Sequence, residues 1–225
     1  MLALAAGAFF AFDLALFNTA VLRTSAATAV VLGNNAPIFV GLGTWLIFRR
    51  RPRRAFWAGL ALALTGCAII VFSDMLTDAA TTGDVIGDLL AVGAALFFAA
   101  YLMTTERLRE GMDTLTFSTV AIIGSVVTLL IVCLAMGVPL TGYRPATWAA
   151  LAGLGLISQL TAYFAMTYAL GHMPATLTSV GLLAQVPLTA LIAVPLLGEP
   201  LSLQQIAGGL LVLAGIWVVN VRSEF

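Results

Sequence analysis

The sequence has no lysine, one histidine and two cysteines among its 225 residues, and charged residues make up only 9% of it. Soluble globular domains average about 25% charged residues, so the composition excludes an ordinary soluble domain. One histidine cannot build a metal site of several imidazoles. Cys67 and Cys133 belong to no CxxC or CxxH spacing, which indicates packing roles and no redox motif. We therefore expect neither a metal nor a cofactor.

Hydrophobic residues make up 61% of the chain, and its mean hydropathy is +1.08. They form eight apolar stretches that show no strand-like alternation of polarity. Each is near the ~20 residues that a helix needs to cross a bilayer. The sequence therefore predicts an all-α polytopic membrane protein with eight transmembrane helices. The predicted stretches cover residues 2–22, 26–48, 55–73, 85–105, 115–137, 146–170, 174–197 and 203–221.

The arginines are divided unevenly between the loops. If alternate loops lie on opposite sides of the membrane, one side holds eight arginines and the other only Arg23 and Arg144. The positive-inside bias places the eight, together with both termini, in the cytoplasm. Short basic loops at helix ends are topology signals, so we expect no nucleic-acid partner. The use of arginine without lysine, with abundant alanine, indicates a bacterial source and hence the inner membrane. The eight are Arg49, Arg50, Arg51, Arg53, Arg54, Arg107, Arg109 and Arg222.

An internal repeat relates two parts of the chain at a nearly constant offset of 150 residues. The matching positions are Pro37 with Pro187 and Asn35 with Gln185, and, after a one-residue slip, Gly59 with Gly208 and Gly66 with Gly215. The first three helices thus correspond to the last three, a displacement of five. Because five is odd, the second copy crosses the membrane in the opposite sense, as in the inverted repeats of many transporters.

The fourth and fifth helices have no upstream counterpart, so the repeat predicts that two N-terminal helices are missing from this chain. The alternative is a genuine eight-helix protein with two unpaired helices. On the first interpretation, residues 1–73 are the remainder of the first repeat and 74–84 an extracytoplasmic linker. Residues 85–225 are then the complete second repeat.

This arrangement resembles the drug/metabolite transporter superfamily, and most closely its bacterial EamA-type exporters. The resemblance covers the whole chain, and its most specific part contains Pro187, Gly198, Glu199 and Gly208. It implies ten helices in two inverted five-helix repeats, of which this chain would hold helices three to ten. The strings that carry it are NNAPIFVGL, AGLALALTGCAII, GDLLAVGAALFFAAYLMTTERL and QVPLTALIAVPLLGEPLSLQQIAGGLLVLAGIWVV.

Asp13 is the clearest functional candidate, because it lies in the middle of an apolar stretch with no arginine near it in sequence. An ionisable group at bilayer depth is costly and often functional. A low-dielectric environment favours the neutral form of a carboxyl group, which suits a proton carrier. The same carboxyl would also suit a contact with a substrate amine. The alternative is a hydrogen bond that only ties helices together.

Asn34 and Asn35 precede Pro37 inside the second stretch, and the repeat places Gln185 and Pro187 at the corresponding positions. Proline removes an intrahelical hydrogen bond and leaves backbone groups that need other partners. We expect helix breaks with a gating role at the two prolines. The amides should face one central cavity between the repeats. Alternatively, they only join helices or satisfy the freed carbonyls.

Gln159 and Tyr163 are four residues apart in the sixth stretch, on one helix face. We expect both side chains to line the same cavity, so the predicted substrate site comprises Asp13, Asn34, Asn35, Gln159, Tyr163 and Gln185.

The resemblance implies a secondary active transporter that exports small polar metabolites, such as amino acids or related compounds, by alternating access. Asp13 suggests coupling to protons. An enzyme is not expected, because no G-x-S-x-G or H-E-x-x-H motif is present. The alternative is a non-transporting fragment or partner subunit of a full-length relative. The expected partners are a small-molecule substrate and the lipid bilayer, and a homodimer is a further candidate.

Overall fold

The computed structural model describes residues 1–75, 84–197 and 202–221. Within these ranges the secondary structure is helical, and eight helical stretches are long and apolar enough to cross a membrane. The prediction of an all-α polytopic membrane protein is confirmed. Most of the predicted linker over 74–84 falls outside the described residues, as do Gly198, Glu199 and Arg222.

Some membrane spans are a single helix and others are interrupted. The second span joins α2 and α3, the sixth joins α7 and α8 through a π-helical turn over Leu154–Leu160, and the seventh joins α9 and α10. The helices are α1 (Leu2–Arg23), α2 (Ala26–Gly33), α3 (Ala36–Leu46), α4 (Arg54–Met75), α5 (Val85–Arg109), α6 (Thr114–Ala135), α7 (Pro145–Gly153), α8 (Thr161–Leu170), α9 (Ala175–Leu182), α10 (Gln185–Leu197) and α11 (Leu203–Val221).

Polar side chains at the membrane boundaries begin several helices. Ser25, Asp84 and Asp113 each accept a hydrogen bond from a backbone N–H in the first turn of α2, α5 and α6. Such caps satisfy amides that have no partner within the helix. Arg23 Nη1 lies 3.6 Å from Asp84 Oδ2, so the end of α1 is tied to the beginning of α5.

Helices α4 and α11 pack against each other through reciprocal glycine contacts. A Cβ on Gly59 would lie 2.6 Å from the Gly215 carbonyl oxygen, and one on Gly215 would lie 2.5 Å from that of Gly59. Gly66 and Gly208 approach each other in the same reciprocal way. The sequence repeat relates Gly59 to Gly208 and Gly66 to Gly215, so it maps the first glycine pair onto the second. The interface therefore has approximate two-fold symmetry. Small residues allow this close approach of transmembrane helices.

Helix α1 packs against both α5 and α6. Ser125 Oγ of α6 donates a hydrogen bond of 2.7 Å to the Gly7 carbonyl oxygen. We call the end of the bundle that carries Arg49–Arg54, Arg107 and Arg109 the arginine-rich end. One cluster of buried residues in its half comes from α1, α3, α5, α6, α8 and α9 and includes Ala3, Tyr101 and Phe117.

Two helix breaks occur at positions related by the repeat. The first separates α2 from α3 at Asn34 and Asn35, and the second separates α9 from α10 at Leu183 and Ala184. Proline follows each break, with Pro37 second in α3 and Pro187 third in α10. Proline is tolerated in the first turn of a helix because the N–H that it lacks would have no intrahelical partner there.

Candidate functional site

A cavity of about 360 Å³ lies beside the two helix breaks, and we call it the helix-break cavity. Its size is at the lower end of the ~300–1,000 Å³ that is usual for small-molecule sites. Its walls come from α1 to α3 and from α5 and α8 to α10. It is lined by Asp13, Leu14, Phe17, Val30, Gly33, Asn34, Ala36, Pro37, Phe98, Tyr163, Ser179, Leu182, Leu183 and Gln185.

Four of the six residues predicted from the sequence to line a substrate site meet in this cavity. Asp13 comes from α1, Asn34 from the first break, Tyr163 from α8 and Gln185 from the first position of α10, directly after the second break. Pro37 lines the cavity as well. The structure therefore places side chains that are far apart in the sequence around one space.

Asn34 and Gln185 are joined directly. Gln185 Nε2 donates to Asn34 Oδ1 over 3.3 Å, and both residues line the cavity. Asn34 Nδ2 is buried and has no hydrogen-bond partner among the described residues. Most buried donors in proteins have a partner. An unpartnered donor in a cavity wall is therefore a candidate ligand contact.

Asn35 lies next to Asn34, but its side chain turns back to its own helix. Its Nδ2 donates to the carbonyl oxygens of Val31 at 2.9 Å and Leu32 at 3.1 Å. These carbonyls belong to the last turn of α2, where the intrahelical donors run out. Asn35 is not among the residues that line the cavity. This differs from the expectation for Asn35 and matches the alternative, in which the amide satisfies freed carbonyls.

Gln159 also lies outside the cavity lining. It belongs to the π-helical turn over Leu154–Leu160, whereas Tyr163 belongs to α8. The two side chains therefore belong to different helical segments, and only Tyr163 lines the cavity. Gln159 Oε1 is buried without a hydrogen-bond partner in the described part of the chain.

Pro187 is absent from the lining too. A Cβ on Gly209 would lie 3.3 Å from Pro187 Cβ, so the proline ring packs towards α11. Of the two predicted break prolines, Pro37 is thus part of the cavity wall and Pro187 part of the helix interface behind it.

Asp13 is the one carboxyl group among the described residues that line the cavity, and no arginine or histidine accompanies it. Within the described ranges, no hydrogen bond or ion pair joins the Asp13 carboxyl to another side chain. Charged side chains are rare at this depth unless they serve a function or are paired within the protein.

Aromatic side chains close the cavity on the side of the arginine-rich end. The Phe10 ring centroid is 4.1 Å from that of Tyr163 and 5.4 Å from that of Tyr101. Tyr101 is 4% exposed, and its hydroxyl lies 3.5 Å from Thr167 Oγ1. We call Phe10, Tyr101 and Tyr163 the aromatic layer.

Arg109 continues this closure at the surface. Its Nε donates to the Thr167 carbonyl oxygen at 3.2 Å, and its Nη1 donates to the Met112 carbonyl oxygen. A Cβ on Gly171 would lie 2.6 Å from Arg109 Nη2, so the guanidinium lies directly against the end of α8. A cation near the carbonyl end of a helix is stabilising.

The sequence interpretation missed nine of the fourteen cavity residues, among them Phe17, Phe98 and Ser179. Phe17 and Phe98 lie in continuous apolar runs, where residues that face lipid and residues that face protein look alike. Ser179 offered a usable signal, because it is a polar residue close to the predicted break at Pro187. No group of three or more His, Cys, Asp or Glu side chains in the described ranges is arranged to hold a metal ion.

The chain is similar to known transporters over most of its length. The EamA-like transporter family matches residues 1–72 and 85–221. A Bacillus subtilis (strain 168) protein named uncharacterized transporter YwfM is 32% identical, over 91% of this chain and 68% of that protein. An uncharacterized transporter of Archaeoglobus fulgidus is 26% identical, over 89% of this chain and 69% of that protein. The chain spans about two thirds of the length of these relatives.

A known crystal structure shares the fold. It is 18% identical to this chain and matches it with a TM-score of 0.79, over 99% of this chain and 76% of that one. At this identity the likeness concerns the fold alone. The family match, by contrast, extends through all eight spans and reaches both sides of the cavity. The chain therefore belongs to the EamA-like transporter family and is a transmembrane transporter, not an enzyme.

Proposed function

We propose that this transporter is a secondary active exporter of small polar metabolites, such as amino acids or related compounds, and that it works by alternating access at the helix-break cavity. The observation that carries the proposal is the position of this cavity beside two helix breaks, whose positions correspond in the predicted inverted repeat. Inverted-repeat transporters commonly bind substrates at interrupted helices near the middle of the membrane.

The distribution of packing supports alternating access. On one side of the cavity, the aromatic layer and the Arg109 contacts form a buried closure. On the other side, α7, the part of the sixth span that lies towards Arg144, has no buried residue and contributes none to the cavity lining. The two sides of the cavity therefore differ in packing, as expected for a single state of an alternating-access cycle. The repeats rock about the cavity to reach the opposite state.

We place the arginine-rich end and both termini in the cytoplasm of a bacterial cell, in the inner membrane. This orientation rests on the positive-inside bias. The state described here is then closed towards the cytoplasm.

Asp13 is the proposed coupling group. It lies in the cavity without a counter-charge, so a proton or a cationic ligand would neutralise it. It belongs to α1, which packs against α5 and α6 and which also carries Phe10 of the closing layer. A change in the charge of Asp13 can therefore influence the contacts that close the cavity.

The test is flux into proteoliposomes that contain the purified protein, driven by an imposed pH gradient. Labelled amino acids and their amides serve as substrates, and protein-free vesicles measure passive leakage. We expect Asp13→Asn to abolish proton-driven flux. Asp88→Asn is the matched control, because Asp88 is a carboxyl in the first turn of α5 and does not line the cavity. Equal flux by folded Asp13→Asn and wild type would remove Asp13 from the mechanism.

A further inference from the structure

We propose that the helix-break cavity selects monocationic amines that also carry a neutral oxygen acceptor and an apolar body, in preference to zwitterions and anions. This inference rests on the proposed function and narrows its substrate class, from amino acids and related compounds to their cationic derivatives. It is drawn from three properties of the cavity wall, namely charge, hydrogen-bonding capacity and apolar surface.

The charge of the wall comes from Asp13. The described lining residues include no arginine or histidine that could neutralise it or receive a ligand carboxylate. Arg23 and Arg109 have partners elsewhere, since Arg23 lies against Asp84 and Arg109 donates to the Thr167 carbonyl oxygen. A cationic ligand therefore completes a neutral pair with the Asp13 carboxylate. A zwitterion leaves one negative charge in the cavity without a partner, and such a charge is costly away from water.

The hydrogen-bonding groups of the wall indicate where each part of the ligand lies. Gln185 uses Nε2 as a donor to Asn34, so its Oε1 remains as an acceptor. An ammonium group has three N–H donors. The Asp13 carboxylate and Gln185 Oε1 can accept hydrogen bonds from them. Asn34 Nδ2 is a buried donor without a partner in the described part of the chain. It needs an oxygen acceptor, which an amide, ester or alcohol supplies without adding negative charge.

The rest of the wall is apolar and partly aromatic. Phe17 and Phe98 line the cavity, and Leu182 and Leu183 lie beside them. The cavity volume of about 360 Å³ accommodates a single ring or a branched aliphatic group beside the polar atoms. Aromatic faces also attract a cation within about 6 Å. The wall thus fits an amine with one apolar side group.

Compounds built on the phenylalanine skeleton separate these features. L-phenylalaninamide and L-phenylalaninol are monocations with a neutral oxygen, and L-phenylalanine is the zwitterion. 3-Phenylpropanamide lacks the amine, and 3-phenylpropanoate is the anion. Their binding to the purified, detergent-solubilised protein is measured by isothermal titration calorimetry. We expect both monocations to bind more tightly than the zwitterion by about tenfold or more, which corresponds to about 1.4 kcal/mol.

Two variants and one control test whether the preference for monocationic amines arises in the cavity. Asp13→Asn should remove the advantage of the amide over the zwitterion, whereas Asp88→Asn should retain it. Asn34→Leu removes the unpartnered donor and should weaken the amide and the alcohol alike. Because these variants can also alter folding, each is first compared with wild type by size-exclusion chromatography and thermal unfolding. A misfolded Asp13→Asn protein is replaced by Asp13→Ser, for which the same loss of preference is expected.

Several results would overturn the inference. These are equal or tighter binding of the zwitterion, equal binding of 3-phenylpropanamide, an unchanged preference in folded Asp13→Asn, or no binding of either monocation. The transport proposal fails separately. Selective binding of the amide without flux in proteoliposomes would support the ligand class and refute transport. Flux of zwitterions alone would support transport and refute the ligand class.

Discussion

The Gln185 side chain donates a hydrogen bond to the Asn34 side chain over 3.3 Å, and this bond joins two residues that are 151 positions apart, one at each helix break. The bond therefore links the two break segments directly at the wall of the helix-break cavity. The other polar group of this amide, Asn34 Nδ2, has no hydrogen-bond partner in the described structure.

We expect Asn34→Ala and Gln185→Ala to be coupled in a double-mutant cycle. A typical intramolecular hydrogen bond contributes about 0.5–1.5 kcal/mol net, and interhelical bonds in membranes average about 0.6 kcal/mol. The free energy of unfolding, measured by reversible denaturation with sodium dodecyl sulfate in mixed micelles, should reveal a coupling of this size. Asn18→Ala is the control partner, since Asn18 donates to the Leu14 carbonyl oxygen within its own helix. Additivity of the Asn34 and Gln185 substitutions would show that the bond is absent in solution.

The positions of the spans could be predicted from the sequence, because a helix that crosses a bilayer requires a long apolar run. The predicted stretch 115–137 corresponds to α6, Thr114–Ala135, and the predicted stretch 85–105 corresponds to α5, which extends to Arg109. The inverted repeat also predicted the correspondence of the two breaks. Proline, amide and glycine positions carried this information, because they are unusual in apolar helices.

The orientation of individual side chains could not be predicted. Asn34 and Asn35 are adjacent, and only the geometry of the break decides which one faces the cavity and which one bonds to α2. The π-helical turn that contains Gln159 has no marker in an apolar sequence. Phe17 and Phe98 are hidden for a related reason, since helices that are apolar on all sides do not distinguish a cavity face from a lipid face.

Gly215→Ala should destabilise the contact between α4 and α11. The added methyl group would lie 2.5 Å from the Gly59 carbonyl oxygen and 2.7 Å from the Ala63 backbone nitrogen, so the two backbones must separate. Overpacking of this kind typically costs about 1–3 kcal/mol. The measurement is the free energy of unfolding in mixed micelles.

Gly181→Ala is the control for this prediction. It adds the same methyl group to a helical glycine that has no atom within 4 Å of the new Cβ. Alanine is favoured over glycine in a helix by about 1 kcal/mol, so this variant should be at least as stable as wild type. Equal stabilities of the two variants would contradict the close packing of α4 on α11.

Arg109→Ala should weaken the closure at the arginine-rich end. The substitution removes the hydrogen bonds to the Thr167 and Met112 carbonyl oxygens and the cation from the end of α8. Loss of such partners costs about 1–3 kcal/mol, which thermal unfolding in detergent should detect as a lower midpoint temperature. Arg144→Ala removes an exposed arginine at the opposite end and should have little effect. A similar decrease in midpoint temperature in both variants would contradict a specific contribution of Arg109 to the closure.

The most direct test of the central claim asks whether a transported ligand occupies the helix-break cavity. Ser179 lines the cavity, and Cys133 of α6 does not. In a Cys67→Ala, Ser179→Cys variant, the rates at which a membrane-permeant maleimide modifies the introduced thiol and Cys133 are measured with and without a ligand that the vesicles transport. The account predicts that the ligand slows modification at position 179 several-fold and leaves Cys133 unchanged. Equal rates at position 179 with and without saturating ligand would contradict it.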